Sequence, residues 1–169
     1  IKKPKDINEN INKWIFTEFL LVKEKIKKNI NDYRFDEAAK NLYQFVWHSF
    51  CDWYLELSKT IYYSDNQSSK EETRGVSAYL FREILILLHP FTPFITEEVW
   101  LKNKLDKNNK DYLMFANWSA DKGKTDKSHI EVNKIINFIT SIRSFKNELG
   151  IPPRSQIEIS LEKTNNELK

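Results

Sequence analysis

Helix breakers are scarce in this chain. Three glycines and five prolines occur among 169 residues, and the stretch from Asp36 to Tyr63 contains neither. Long helices are therefore expected. Cysteine is nearly absent as well: the single Cys51 cannot close an internal disulfide, which points to a reducing compartment. No window approaches roughly eighteen consecutive apolar residues, so a soluble protein is expected. The opening Ile1-Lys2-Lys3-Pro4 lacks the form of a signal peptide, and a start at isoleucine inside a charged segment reads as a piece of something longer.

Catalytic and metal signatures are also missing. His48, His89 and His129 have no second ligand at a metal-binding spacing, and there is no zinc pattern, H-E-x-x-H or P-loop. His89 precedes Pro90 at a helix end, where a ring serves to cap the last carbonyls. Glu97 and Glu98 are consecutive helical residues diverging by about 100°, which suits a helix N-terminus and not an acid–base pair. Cys51 has no placed base and reads as an inert thiol. On chemistry alone, this chain holds no active site.

What is present suits one domain with a real core and a small appendage: 40% hydrophobic residues, 14% of the total aromatic. The net charge of +3 is unevenly spread. Residues 1–34 carry nine Lys/Arg against five Asp/Glu, residues 35–66 two against five, and residues 102–129 seven against four. Basic ends around an acidic middle suit a polyanion as well as they suit an ordinary solvated surface.

Ile7, Ile11, Ile15, Phe19, Val22, Ile26 and Ile30 recur at steps of four and three, which predicts a first helix of about seven turns. Phe16, Leu20, Lys23 and Lys27 form a second, mixed line, either a seat for a neighbouring helix or part of a ligand surface. After a turn at 31–35, Asp36 is placed to cap a central helix. At 100° per residue that helix has Phe35, Ala38, Ala39, Leu42, Val46, Phe50, Trp53 and Leu57 on one face, widened by Tyr43, Tyr54 and Ile61. Phe45 falls just outside this arc. An aromatic there is either core margin or a stacking platform for a base.

Ser68 or Ser69 with Glu71 or Glu72 forms a capping box for a third helix ending at His89. Thr92 as N-cap and Pro93 at the first position start a fourth helix, which dies out near Leu105. Residues 112–118 are a short apolar strand or strap, 119–127 a polar linker, and Ser128–Glu131 a second capping box opening a fifth helix that Gly150 and Pro152-Pro153 end. Residues 156–162 alternate with period two and predict a half-buried strand, paired most simply with 112–118. The expected fold is mainly α: an antiparallel helical bundle over 1–110, with a C-terminal appendage of strand, linker, helix and strand over 111–169.

Several motifs carry a resemblance. Trp14-Ile15, Tyr33-Arg34-Phe35-Asp36-Glu37-Ala38-Ala39, Leu42-Tyr43-Gln44-Phe45-Val46-Trp47 and the run from Leu88-His89-Pro90-Phe91 through Glu97-Glu98-Val99-Trp100 resemble, in order and spacing, the anticodon-binding helical bundle of class I aminoacyl-tRNA synthetases. The H-P-x-x-P-F-x-x-E-x-x-W pattern is shared by the isoleucine, leucine, valine and methionine branches. The run Phe50-Cys51-Asp52-Trp53-Tyr54-Leu55-Glu56-Leu57-Ser58-Lys59 is narrower and similar to the valyl branch, as is Ile142-Arg143-Ser144 through Pro152-Pro153.

The resemblance covers nearly all of residues 11–162. It implies recognition of the anticodon loop of a valine-accepting tRNA by a piece that is itself non-catalytic. It also implies a partner catalytic domain in the same parent chain, ATP bound by that parent and not by this piece, a cytoplasmic location and no membrane. Carried over position by position, the family's stacking and basic contacts fall near Phe45 and Lys27, with Lys23, Arg34 and Trp47 next; Trp53 and Trp100 are assigned to core packing. Two alternatives stand beside it: an isoleucyl or leucyl relative, and a helical protein-interaction module.

Overall fold

The computed structural model describes residues 1, 3–105, 112–118 and 127–160. Helices dominate: α1 (Asn10–Asn31), α2 (Phe35–Gln44), a π-helical segment (Phe45–Tyr54), α3 (Leu55–Tyr63), α4 (Gln67–Leu88), α5 (Pro93–Lys102), a 3-10 turn (Leu113–Phe115) and α6 (Lys127–Glu148). There are two compact units, Ile1–Lys134 and Ile135–Lys169.

In the first unit α1 packs along α2 and the π segment, α4 lies against α1 and α3, and α5 folds back on α4. The isoleucine stripe of α1 supplies its core, with Ile15, Phe19 and Ile26 fully buried. A second cluster joins Leu85, Ile86, Trp100, Leu105 and Leu113. Trp100 is a core residue there, as its position in α5 suggests, and the Arg82 guanidinium lies 5.2 Å from the centre of its ring.

The central helix departs from the expected wheel. Its buried line is Ala38, Leu42, Phe45, Phe50, Tyr54 and Ser58, with a step of five between Phe45 and Phe50. In an α-helix a five-residue step would carry Phe50 about 140° away from Phe45. Hydrogen bonds from i to i+5 widen the turn and shorten the angular step, as in the bond from the Leu55 amide to the Phe50 carbonyl. The π segment thus keeps three aromatic rings on the core side. Phe45 is therefore core and not rim, while Phe35 and Ala39, expected inside, are exposed.

Three helix ends share one geometry. After α1, α5 and α6 a residue in the left-handed region turns the chain and the next amide reaches back five residues: Arg34 to the Asn29 carbonyl, Leu105 to Trp100, Ile151 to Lys146. Gly150 (φ 65°) occupies that position after α6, whereas Tyr33 (φ 58°) and Lys104 (φ 49°) occupy it after α1 and α5.

The helix starts differ from the expected caps. Arg34, not Asp36, is the N-cap of α2, and the N-cap of α4 is Asn66, whose side chain accepts from the Ser69 amide. Glu72 turns away from a local capping box and accepts from the Asn8 and Glu9 amides at 2.9 Å, capping α1 across space. Thr92 precedes Pro93 as expected, but its hydroxyl donates back to the Leu88 carbonyl. His89 fastens the same corner through Nδ1 to Thr96 Oγ1 at 2.9 Å.

Among the described residues there is no strand. Leu113 is buried in the Trp100 cluster and its amide is held by the Glu97 carboxylate at 3.0 Å, so 112–118 is an apolar strap across α5. Ile157 and Ile159 are exposed, and the described part of the expected C-terminal strand, 156–160, forms no ladder. Residues 161–162 and most of the expected linker lie outside the described residues. No described helix is long and apolar enough to cross a membrane.

Candidate nucleic-acid interface

Exposed aromatic side chains lie at the α1–α2 turn, Tyr33 and Phe35, and where α2 passes into the π segment, Tyr43 and Trp47. Tyr43 and Trp47, one turn apart, are 61% and 54% exposed, with rings nearly parallel (4°) and centroids 6.3 Å apart. The His48 ring stands edge-on to Tyr43, and its Nδ1 is 3.2 Å from Asp52 Oδ2. The pair lines a groove of about 240 Å³ together with Leu42, Val46, Leu88 and Phe91.

Phe91 also walls a second, larger trough of about 550 Å³. Lys27, Ile30 and Asn31 from the last turns of α1 line it together with Phe35, Pro90 and Trp118. Just outside it, the Tyr33 ring meets Phe35 edge-on at 6.3 Å. The lining of the groove and the trough is mostly apolar and aromatic with Lys27 and Asn31 among it, a composition that suits unstacked bases.

The residues singled out from sequence separate into two groups. Lys27 and Trp47 belong to this surface, and Arg34 lies beside it, exposed and 3.6 Å from Glu37. Phe45 is 3% exposed with its ring against Phe19 at 6.0 Å, so it has no face open to a base. Lys23 is 4% exposed, its ammonium 5.5 Å from the centre of the Phe19 ring, and it too is interior.

Tyr43, Phe35, Asn31, Phe91 and Trp118 were not singled out. A wheel at constant step assigns Tyr43 and Phe35 to the core, and only the i, i+4 spacing of Tyr43 and Trp47 hinted at a surface pair. Cys51 is half-buried, and burial, then the Asp52 charge, push its thiol pKa up, which disfavours the thiolate. Among the described residues no three His, Cys, Asp or Glu cluster as metal ligands.

Residues 12–161 match the family described as the anticodon-binding domain of tRNA ligase. The chain belongs to that family. As an anticodon-binding domain it is 60% identical over 153 residues to the valine–tRNA ligase of Pelagibacter ubique, covering 90% of this chain and 18% of that protein. It is 41% identical over 151 residues to the valine–tRNA ligase of Rhizobium meliloti, covering 89% and 16%. With that of Zymomonas mobilis it shares 38% over 166 residues, covering 94% and 18%. The domain thus spans less than a fifth of the length of these curated relatives.

Proposed function

We propose that this domain recognises the anticodon loop of a valine-accepting tRNA as part of a valine–tRNA ligase. The activity of that parent, ATP-dependent attachment of valine to its tRNA, resides in a catalytic domain elsewhere in the parent chain, and the setting is cytoplasmic. The observation that carries the reading is the exposed Tyr43–Trp47 pair, its rings nearly parallel, lining a groove of the same surface. Aromatic faces stack on any unstacked base, and Lys27 with Arg34 supplies cations for the phosphates between bases. Phe45 and Lys23 act from behind, setting the shape of the core under that surface.

The reading is tested by titrating the domain with an anticodon stem-loop of valine-tRNA sequence over a series of salt concentrations. The expected log–log slope is about −0.7 per phosphate contact. Trp47→Ala should weaken binding by about 1–3 kcal/mol, the worth of one stacked base. Absence of binding, or affinity indifferent to salt and to Trp47, would overturn the reading in favour of a protein-interaction module.

A further inference from the structure

The π segment brings together two side chains that an α-helix would hold apart. Tyr43 and His48 are five residues apart, a step that on an α-helix separates side chains by about 140°. Here the turn is widened, and the His48 ring stands edge-on to Tyr43, at 89° with ring centres 6.4 Å apart. His48 thus lies beside the Tyr43–Trp47 pair, with Nδ1 3.2 Å from Asp52 Oδ2. An ionised carboxylate only accepts, so Nδ1 carries the proton and donates. Nε2, the other ring nitrogen, has no hydrogen-bond partner among the described residues. It accepts in the neutral ring and donates in the imidazolium. The other titratable groups beside the pair are Tyr43 and Cys51. Of the elements packed on the segment, α1 brings Lys23, interior and against the Phe19 ring, and α3 brings Glu56 and Lys59, paired with each other at 2.7 Å.

We propose that His48 is a proton-dependent phosphate contact of the RNA-binding surface, with Asp52 as its positioning residue. The inference rests on the anticodon-binding reading above and deepens it. Histidine changes charge between about pH 5 and 8, and each anion beside an imidazole favours the charged form. With Asp52 at Nδ1, a backbone phosphate at Nε2 completes an imidazolium bonded to an anion at each nitrogen, and its bond to the phosphate is charge-assisted. Binding then takes up a proton. Asp52 is 50% exposed, so solvent and salt screen its repulsion of the phosphate. Successive bases of a single strand are joined by phosphates, so one lies next to any base stacked on Tyr43 and Trp47, where His48 stands. Stacking supplies affinity that pH leaves unchanged, and His48 adds a part that grows as pH falls.

The test titrates the whole chain with a valine-type anticodon stem-loop between about pH 6 and pH 8 over a series of salt concentrations, for wild type, His48→Gln and Asp52→Asn. Wild-type affinity should rise about tenfold from the upper to the lower pH, the worth of one hydrogen bond between charged groups. The log–log salt slope should be steeper by about 0.7 at the lower pH, for one added phosphate contact. His48→Gln keeps a polar side chain that cannot gain charge and should remove both changes. Asp52→Asn removes the anion that favours the imidazolium and should move the rise to lower pH. Circular dichroism melts of each variant, at these exposed positions, confirm an unaltered fold. If wild type binds equally well at both pH limits, the inference is wrong and the anticodon-binding reading survives. If His48→Gln keeps the wild-type rise, another group takes up the proton and the assignment of His48 is wrong. A rise that Asp52→Asn leaves in place overturns the role given to Asp52. If wild type binds at no pH, inference and reading fall together.

Discussion

Tyr33 occupies a conformation that a tyrosine adopts at a cost. At φ 58° it is the left-handed residue that ends α1, the position for which Gly150 serves after α6. For a residue with a Cβ this region costs about 1–2 kcal/mol. The ring recovers little of that by burial, since it is 83% exposed and touches Phe35 edge-on. Strain retained beside the trough, in a side chain that adds nothing to the core, is what a role on the proposed RNA-binding surface would leave. Tyr33→Gly should therefore stabilise the fold by about 1 kcal/mol in urea unfolding while weakening stem-loop binding several-fold. A variant that is both less stable and fully active in binding would refute the trade-off.

At the scale of elements, the π segment decides which rings are core and which are exposed. The step of five from Phe45 to Phe50 amounts to one extra residue in an otherwise α-helical line. With that residue removed, the buried positions would follow at steps of four, three, four, four and four, an ordinary helix face. Deleting the exposed His48 should accordingly convert the segment to α-helix and leave the melting temperature within about 4 °C, equivalent to about 1 kcal/mol for a chain of this size. Circular dichroism melts and amide exchange of residues 45–55 measure this. Loss of cooperative melting would show that the extra residue is itself needed for the core.

The same element explains what was legible in the sequence. The α1 stripe, the Pro93 helix start and the Gly150 stop could be read directly, because repeating spacing and breaker residues act locally. The faces of the central helix could not, because a π segment carries no breaker and shifts phase silently, which moved Phe45 inward and left Tyr43 and Trp47 outside. The exposed position of Lys27 could be read because α1 is regular along its whole length. Asn31, Phe91 and Trp118 were missed because their meeting depends on the α4–α5 corner folding back, a tertiary fact without periodic signature.

At the scale of the whole molecule, the two long helices that frame the first unit are tied at their starts by one polar network. Glu72 of α4 accepts from the Asn8 and Glu9 amides and from Asn12 Nδ2, all at 2.9 Å. Fully buried Asn12 also donates to Thr73 and accepts from the Tyr54 hydroxyl, which reaches Ser77 in turn. Burial, the larger influence, pushes the Tyr54 pKa well up, so the phenol remains a neutral donor. Burial likewise pushes the Glu72 carboxyl up, but the hydrogen bonds from Asn12, Glu9 and Asn8 together outweigh it and hold the group below its ordinary value.

A carboxyl depressed in the folded state binds its proton less readily than in the unfolded chain. Its contribution is complete above the unfolded value of about 4.3 and is lost as pH falls through the lower folded value. At pH 7, Glu72→Gln should cost about 1–3 kcal/mol, because it removes the charge and one of two acceptor oxygens facing three donors. Between about pH 5 and pH 3 wild type should lose more stability than the variant, so the two melting temperatures converge in acid. Parallel melting curves against pH, with a constant gap between wild type and Glu72→Gln, would mean that the clasp is held by geometry alone and that its charge contributes nothing.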